Sequence, residues 1–380
     1  MHWALTQWWV WLSIPSCSRC NKEASQQVGE LADVNRARHQ AGVAWNQGAC
    51  AVRAAFPMLR VGYPATIPAE LLRDFPPGIE LIPIAGKLDH DLEIAVWIPD
   101  PYSTRAMRAW PRLRGVRLVL SMMAGTEWIP PVVGPHVTIC NAHGAHNVST
   151  AEWTVAAIFA MLKHFPLYLD IQRSGVWKRR FEASAQYAAI SGDARKHYPP
   201  VMLEELTGKT VLLVGFGAIG KEIERMLAPF RVEMLRVART ARAEPRVHPV
   251  SELDGLLPRA EVIVLILPST AETRWLIDRP QFALMRQGAL LVNAARGPVV
   301  NTDALVEALD AGRIRAALDV TDPEPLPEGH PLWNCPNLLI TPHVGASTPQ
   351  FSLRALHTAA EELLRYMNGE PLRNVVQAAI

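Results

Sequence analysis

The segment Thr210-Val-Leu-Leu-Val-Gly-Phe-Gly-Ala-Ile-Gly220 constrains this chain more than any other. Val211 to Val214 is a short unbroken apolar run, which suits a strand buried on both faces of a parallel sheet. Gly215, Gly217 and Gly220 then spell G-x-G-x-x-G, and Lys221 to Leu227 continues with a helical pattern that puts Ile223 and Leu227 on one face. The unit is strand, glycine turn, helix. Gly215 permits the tight turn, Gly217 lets the backbone approach a pyrophosphate, and Gly220 lets the helix pack close to the strand. The helix N-terminus offers free N–H groups and a partial positive charge to phosphates. A G-x-G-x-x-G alone also arises by chance as a structural turn; the strand before it and the helix after it favour dinucleotide binding.

The chain has 380 residues, enough for about two domains. Its net charge is +2 with no long basic run, so nothing points to a nucleic-acid partner. The five cysteines, at 17, 20, 50, 140 and 335, do not form a disulfide framework. Cys17-Ser-Arg-Cys20 is half a zinc site at best, and no second C-x-x-C follows, so no metal is expected. Residues 1–57 differ from the rest: Trp3, Trp8, Trp9, Trp11 and Trp45 are five of the chain's 12 tryptophans. Trp3 to Ile14 is too short to span a bilayer, and no Lys or Arg precedes it as in a secretory signal. A disordered, dispensable extension and a cytoplasmic protein with no membrane partner are the expectations. Met58 opens the first domain pattern.

From there, strands are expected at Leu59–Tyr63, Gly78–Ile84, Leu92–Ile98, Val116–Met122 and Val137–Ala142, with short helices at Pro68–Phe75 and Thr104–Leu113. This alternation indicates an α/β domain with a parallel sheet. Ser149 and Glu152 have the spacing of a capping box, so a long helix is expected to start at Ser149 and lead into the second domain. Tyr187–Pro200 reads as loop. After Val211, strands at Val232–Val237, Glu261–Leu267, Ala289–Asn293, Ala316–Val320 and Leu338–Ile340 complete a six-stranded doubly wound pattern. Such a sheet presents ligand groups at the carboxyl ends of its strands. A last helix from Thr348 is expected to return to the first domain. The expected layout is therefore residues 58–148 with 346–380 as a discontinuous substrate domain, and 149–345 as the dinucleotide-binding domain. About a dozen residues follow that helix, so no further regulatory domain is expected.

Three segments follow strand ends of the second domain. Leu291-Val-Asn-Ala-Ala-Arg-Gly-Pro-Val-Val-Asn301 places Arg296 just past a buried strand, where a guanidinium can grip a carboxylate with two parallel hydrogen bonds. Ala317-Leu-Asp-Val-Thr-Asp-Pro-Glu-Pro-Leu-Pro327 sets Asp319, Asp322 and Glu324 among prolines that stiffen the loop. Leu339-Ile-Thr-Pro-His-Val-Gly-Ala-Ser-Thr348 places His343, whose imidazole suits proton transfer near neutral pH. Singly, each has a dull reading as a surface ion pair, a solvated acid or an incidental histidine. Jointly, they make a catalytic constellation above a dinucleotide site.

With these segments in view, the chain resembles the D-isomer-specific 2-hydroxyacid dehydrogenases. The matching pieces are G-F-G-A-I-G, N-A-A-R-G-P-V-V, L-D-V-T-D-P-E-P-L-P and T-P-H-V-G-A-S-T, in that order. The resemblance implies a Rossmann nucleotide domain, a flavodoxin-like substrate domain and a cleft between them. It implies that Arg296 binds substrate, that Glu324 orients His343, and that His343 is the general acid/base. It further implies that backbone N–H groups at Ala124 and Gly125 hold the substrate carboxylate. The expected cofactor contacts are Gly215, Gly217, Ala218, Ile219, Gly220, Pro268, Ala295, Asp319 at the nicotinamide end, and Gly345. A homodimer formed through the nucleotide domain is likewise implied. Two positions depart from the family: Asn301 stands where Asp is usual, and His143 where close relatives often carry Arg, which bears on substrate preference. Resembling formate dehydrogenases carry Gln in place of Glu324; formate oxidation releases no hydroxyl proton, so Glu324 argues for a hydroxy acid.

The expected reaction is hydride transfer between NAD(P)H and a small 2-oxo or 2-hydroxy acid. Arg296 would stabilise negative charge growing on the carbonyl oxygen, and Glu324 would favour the imidazolium form of His343. Cofactor choice turns on Arg236-Val-Ala-Arg-Thr-Ala-Arg242. An acidic residue at the end of the second strand would bind a ribose 2′-OH. Ala238 stands there instead, and Arg239, Thr240 and Arg242 are placed to bind a 2′-phosphate, so NADP is expected ahead of NAD. The competing reading is a non-catalytic, dinucleotide-sensing interaction protein, like corepressors that resemble this family. A damaged triad or a basic partner-binding tail would favour it; neither is visible.

Overall fold

The computed structural model describes residues 58–379, apart from 102, 194 and 196. The expectations for residues 1–57 lie outside the described residues, as does the Cys17–Cys20 pair. Met58–Ile380 forms one compact unit built on two sheets.

The first sheet takes its strands from β1 (Leu59–Pro64), β2 (Ile79–Ile84), β4 (Val96–Trp97), β6 (Leu118–Leu120), β7 (Thr138–Cys140) and β15 (Val375–Gln377). Their order is β15-β7-β6-β4-β1-β2, parallel except for β15, which runs antiparallel to β7. Without that edge strand this is the flavodoxin-like order. The single strand expected at Leu92–Ile98 is split. Leu92–Glu93 (β3) leaves the main sheet to pair with Leu113–Arg114 (β5), and only Val96–Trp97 joins β1 and β6.

The second sheet holds β8 (Thr210–Val214), β9 (Glu233–Ala238), β10 (His248–Pro249), β11 (Val262–Leu265), β12 (Ala289–Asn293), β13 (Ile314–Leu318) and β14 (Leu338–Ile340). Its order, β10-β9-β8-β11-β12-β13-β14, is the doubly wound order with a seventh strand at the far edge. The sequence pattern gave six strands; β10 was missed because two residues carry no periodicity.

The apolar run of β8 explains the layering. Leu212 and Val214 pack on one side with Leu305 and Leu309 of the helix Thr302–Asp310. Val211 and Leu213 pack on the other with Ile158 and Leu162 of the helix Asn147–Leu162, and with Ile223 and Leu227 of the helix Ala218–Leu227. Every residue of β8, β11, β12 and β13 is buried. Each such Leu or Ile contributes roughly 1.5–3 kcal/mol. The sheet is therefore a stiff platform.

Two expectations need correction. The helix Asn147–Leu162 begins two residues ahead of Ser149 and has no side-chain cap. Ser149 is inside it, and its hydroxyl accepts from Arg354 Nη2 at 3.3 Å, so a tertiary contact replaces the capping box. Tyr187–Ser191 is helical, as the end of Glu182–Ser191, with Ala183 and Ile190 buried. The last helix, Pro349–Met367, is capped by Thr348 and packs Ala355, Leu356 and Leu363 onto the first sheet. Thus the chain crosses between sheets along Asn147–Leu162 and returns through residues 341–349.

Candidate active site

Register brings the candidate groups together. In the second sheet Val214 pairs with Leu265, Leu265 with Asn293, Asn293 with Leu318, and Leu318 with Ile340. That row marks the carboxyl edge. The residues that follow each member are Gly215, Pro268, Ala295 with Arg296, Asp319, and His343.

Nδ1 of His343 lies 2.5 Å from Glu324 Oε1. A carboxylate only accepts, so the imidazole holds its proton on Nδ1 when singly protonated. The hydrogen bond to Glu324 raises the His343 pKa above its ordinary value; burial and the Arg296 charge oppose this, and Glu324 and Asp319 reinforce it. For Glu324, burial is the largest influence and acts upward, but the hydrogen bond and charge of His343 outweigh it, so its pKa is lowered. The two directions agree: the pair favours carboxylate with imidazolium. Both side chains are close to two-fifths exposed, so the pair faces the cleft.

His343 adopts φ 53°, in the left-handed region. Asp319, buried at 5% exposure, holds it there. Asp319 O accepts from His343 N at 2.7 Å. Its carboxylate accepts from Thr341 Oγ1 at 2.6 Å, Val344 N at 2.9 Å and Gly345 N at 2.8 Å. Three of roughly four acceptor positions are thus used inside the protein. Asp319, expected beside the nicotinamide, clamps the histidine loop. Gly345 is needed for that clamp, since a Cβ there would sit 2.7 Å from Asp319 Oδ2.

Arg296 is held by an element the sequence reading missed. Asn293 is 1% exposed; its Nδ2 donates to Arg296 O at 3.1 Å and its Oδ1 accepts from Ala295 N at 3.0 Å. The signal was present: Asn two residues before a turn commonly bonds the backbone ahead of it. Gly297 sits so close to the Glu324 loop that a Cβ would meet Thr321 O at 1.9 Å, which locks the arginine and glutamate segments together.

The first sheet supplies the opposite wall. A Cβ on Gly125 would lie 2.2 Å from Arg296 Nη2, so the Ala124-Gly125 loop touches the guanidinium. Asn141 Nδ2 donates to Ala124 O at 2.9 Å, fixing that loop while the Ala124 and Gly125 N–H groups keep no acceptor among the described residues. Glu127 stands 3.7 Å from Arg296 Nη2 at the rim. His146, also missed, is buried, and its pKa is lowered to about 4 by burial and then by Arg296, Arg354 and His343. Asn301 is a helix cap, its side chain accepting from Asp303 N and Ala304 N. Asn and Asp cap about equally well, so this departure has a structural reading. His143 is exposed.

The glycine turn fits a dinucleotide. A Cβ on Gly215, at φ +105°, would strike Ile266 O at 2.3 Å, and one on Gly220 would strike Gly215 O at 2.6 Å, whereas Gly217 faces open space. Gly217 caps the helix Ala218–Leu227. Strand β9 ends at Ala238, leaving Arg239 and Thr240 exposed beyond it. Arg242 Nη2 donates to Phe216 O at 3.1 Å, which ties it to the turn. Pro268 O accepts from Thr273 Oγ1 at 2.8 Å, and Ala295 is buried.

Comparison with known proteins accords with this geometry. Residues 155–345 match the family model for the D-isomer specific 2-hydroxyacid dehydrogenase, NAD binding domain. A glyoxylate reductase of Thermofilum pendens is 31% identical over 307 residues, 78% of this chain and 84% of that protein. The chain belongs to the D-isomer specific 2-hydroxyacid dehydrogenase family. This family comprises NAD(P)-dependent oxidoreductases. Within it, a D-3-phosphoglycerate dehydrogenase of Archaeoglobus fulgidus is 32% identical over 244 residues; the match spans 63% of this chain but 43% of that protein. A solved family structure from Xanthobacter autotrophicus Py2, in complex with NADPH and MES, is 27% identical with a TM-score of 0.66, covering 84% of this chain and 97% of that one.

Proposed function

We propose that this protein reduces a small 2-oxo acid to the 2-hydroxy acid with NADPH as the preferred reductant. The observation that carries the reading is the meeting of Arg296, Gly125 and the His343–Glu324 pair over the carboxyl edge of the dinucleotide-binding sheet. A bound nicotinamide cofactor supplies the hydride, and the protein binds, orients and moves the proton. Arg296 and the free N–H groups of Ala124 and Gly125 hold the substrate carboxylate. The guanidinium also stabilises charge building on the carbonyl oxygen. His343, cationic beside Glu324, gives that oxygen its proton and takes it back in the reverse direction. The intact constellation favours an enzyme over a dinucleotide-sensing interaction protein.

For the cofactor, Ala238 rather than an acidic residue ends β9, and Arg239, Thr240 and Arg242 follow it, which supports binding of a 2′-phosphate. The NADPH bound to the Xanthobacter relative supports the same choice. The test is the fall in reduced-cofactor absorbance with glyoxylate, hydroxypyruvate or phenylpyruvate. NADPH is expected to give the higher kcat/KM, and Arg239→Asp to reverse the preference; faster turnover with NADH in the unaltered protein would contradict it.

A homodimer is supported by exposed apolar side chains on the nucleotide domain: Phe165, Leu169, Trp177 and Phe181, with Arg180 stacked on the last two. Sedimentation equilibrium is expected to give twice the chain mass; a monomer at micromolar concentration would refute it.

A further inference from the structure

What the glycine turn can bind depends on which way its peptides face, and a side chain from beyond β9 fixes one of them. Arg242 lies on a short ribbon: its N–H donates to Val247 O at 3.0 Å, and Val247 N donates back to Arg242 O at 2.9 Å. Val247 is buried in the same apolar cluster as Phe216, the residue between Gly215 and Gly217. The ribbon is therefore docked against the turn. From it, Arg242 Nη2 donates to Phe216 O at 3.1 Å, and the guanidinium carbon lies 5.7 Å from the centre of the Phe216 ring. Carbonyl and ring of one residue thus hold the guanidinium at two points.

Arg236 also lies over that ring, at 5.5 Å, but it pairs with Glu224. Arg242 has no carboxylate within ion-pair distance among the described residues, so the Phe216 carbonyl takes its charge-assisted hydrogen bond. In a trans peptide the carbonyl and the N–H point in opposite directions. Tying Phe216 O to Arg242 therefore turns the Gly217 N–H away from the guanidinium. That N–H has no acceptor among the described residues and stands at the open start of the helix Ala218–Leu227. A Cβ on Gly217 would meet nothing within 4 Å, so a ligand can come close there. A cationic donor on the carbonyl also makes the N–H of the same peptide a stronger donor, since linked hydrogen bonds polarise one another.

We propose that Arg242 is a positioning residue for the cofactor pyrophosphate: it sets the Phe216–Gly217 peptide so that the turn presents its N–H groups to the phosphates. This rests on the reading of the turn as the dinucleotide site, and it narrows the set that meets a 2′-phosphate to Arg239 and Thr240. The pyrophosphate is common to NADPH and NADH. Loss of Arg242 therefore weakens both cofactors alike, whereas loss of a 2′-phosphate ligand weakens only one.

The test measures Kd for NADPH and for NADH by cofactor fluorescence, with the full-length protein. Arg242→Met, which keeps the apolar stem and removes the donor, is expected to raise both Kd values about 10-fold, the loss of one hydrogen bond from a charged group. The ratio of the two should stay within about twofold of the unaltered protein, since the lost contact does not touch the 2′ position. Arg242→Lys, which keeps a cationic donor, should bring both back to within about threefold. The melting temperature of the unliganded protein should stay within about 2 °C in both variants, which a merely structural role would not allow. A rise confined to NADPH would make Arg242 a 2′-phosphate ligand and overturn the proposal. Unchanged affinity, or a fall in melting temperature alongside the weaker binding, would overturn it equally. Failure of the unaltered protein to bind either cofactor would overturn the dinucleotide reading beneath it.

Discussion

The two sheets are built differently. Strands β8, β12 and β13 each run five residues, all buried, and the loops after β12, β13 and β14 are tied by Asn293, Gly297 and Asp319. On the first sheet, β4, β6 and β7 span two or three residues. The loop that meets Arg296 there is held by Asn141 donating to Ala124 O, by Ala142 N donating to Met123 O and by Ser121 Oγ bonding the Met123 backbone. On the proposed reading, the proton-transfer pair stands on the side of the long buried strands, the rigid side, and the wall that shapes the substrate stands on the side of the short strands, the looser side. On that reading, chemistry and choice of substrate are carried by separate parts of one cleft.

Substitutions on the two sides should therefore fail differently. On the rigid side, His343→Ala is expected to lower kcat for glyoxylate reduction by roughly two to four decades while NADPH binding persists. Turnover within a few-fold of the unaltered protein would remove His343 from the reaction and erase the division. On the looser side, Gly125→Ala drives a methyl group into the Arg296 guanidinium, the mobile end of a long side chain. Its expected effect is smaller, about a 10- to 100-fold loss in kcat/KM carried mostly by KM, with thermal stability nearly unchanged. A large fall in melting temperature would show that this loop is as structural as the other side.

The same contrast governs what could be read from the sequence. The second sheet was legible because its strands are unbroken apolar runs and its loops carry ordered motifs with chemical meaning. Arg296, Glu324 and His343 each stood just past a strand end, and register carries all three to one edge. Residues whose importance comes from distant contacts were not legible. His146 is buried by Phe351, which arrives from the far end of the chain, and Ser149 is occupied by Arg354. Strand β15 has three residues and joins the first sheet by pairing with β7, so no local pattern announces it. Asn293 is the exception, since its bonds are local and its position before the turn was signal enough.

The most direct measurement is the pH dependence of 2-oxo acid reduction by the unaltered protein. Glu324 raises the His343 pKa above the ordinary value of about 6.5. On the proposed reading, reduction consumes the proton on that imidazole, so kcat/KM for reduction should hold below this pKa and fall tenfold per pH unit above it. Oxidation of the 2-hydroxy acid needs the neutral ring and should rise through the same value. A reduction rate that stays flat through the neutral and alkaline range would contradict proton delivery by the His343–Glu324 pair.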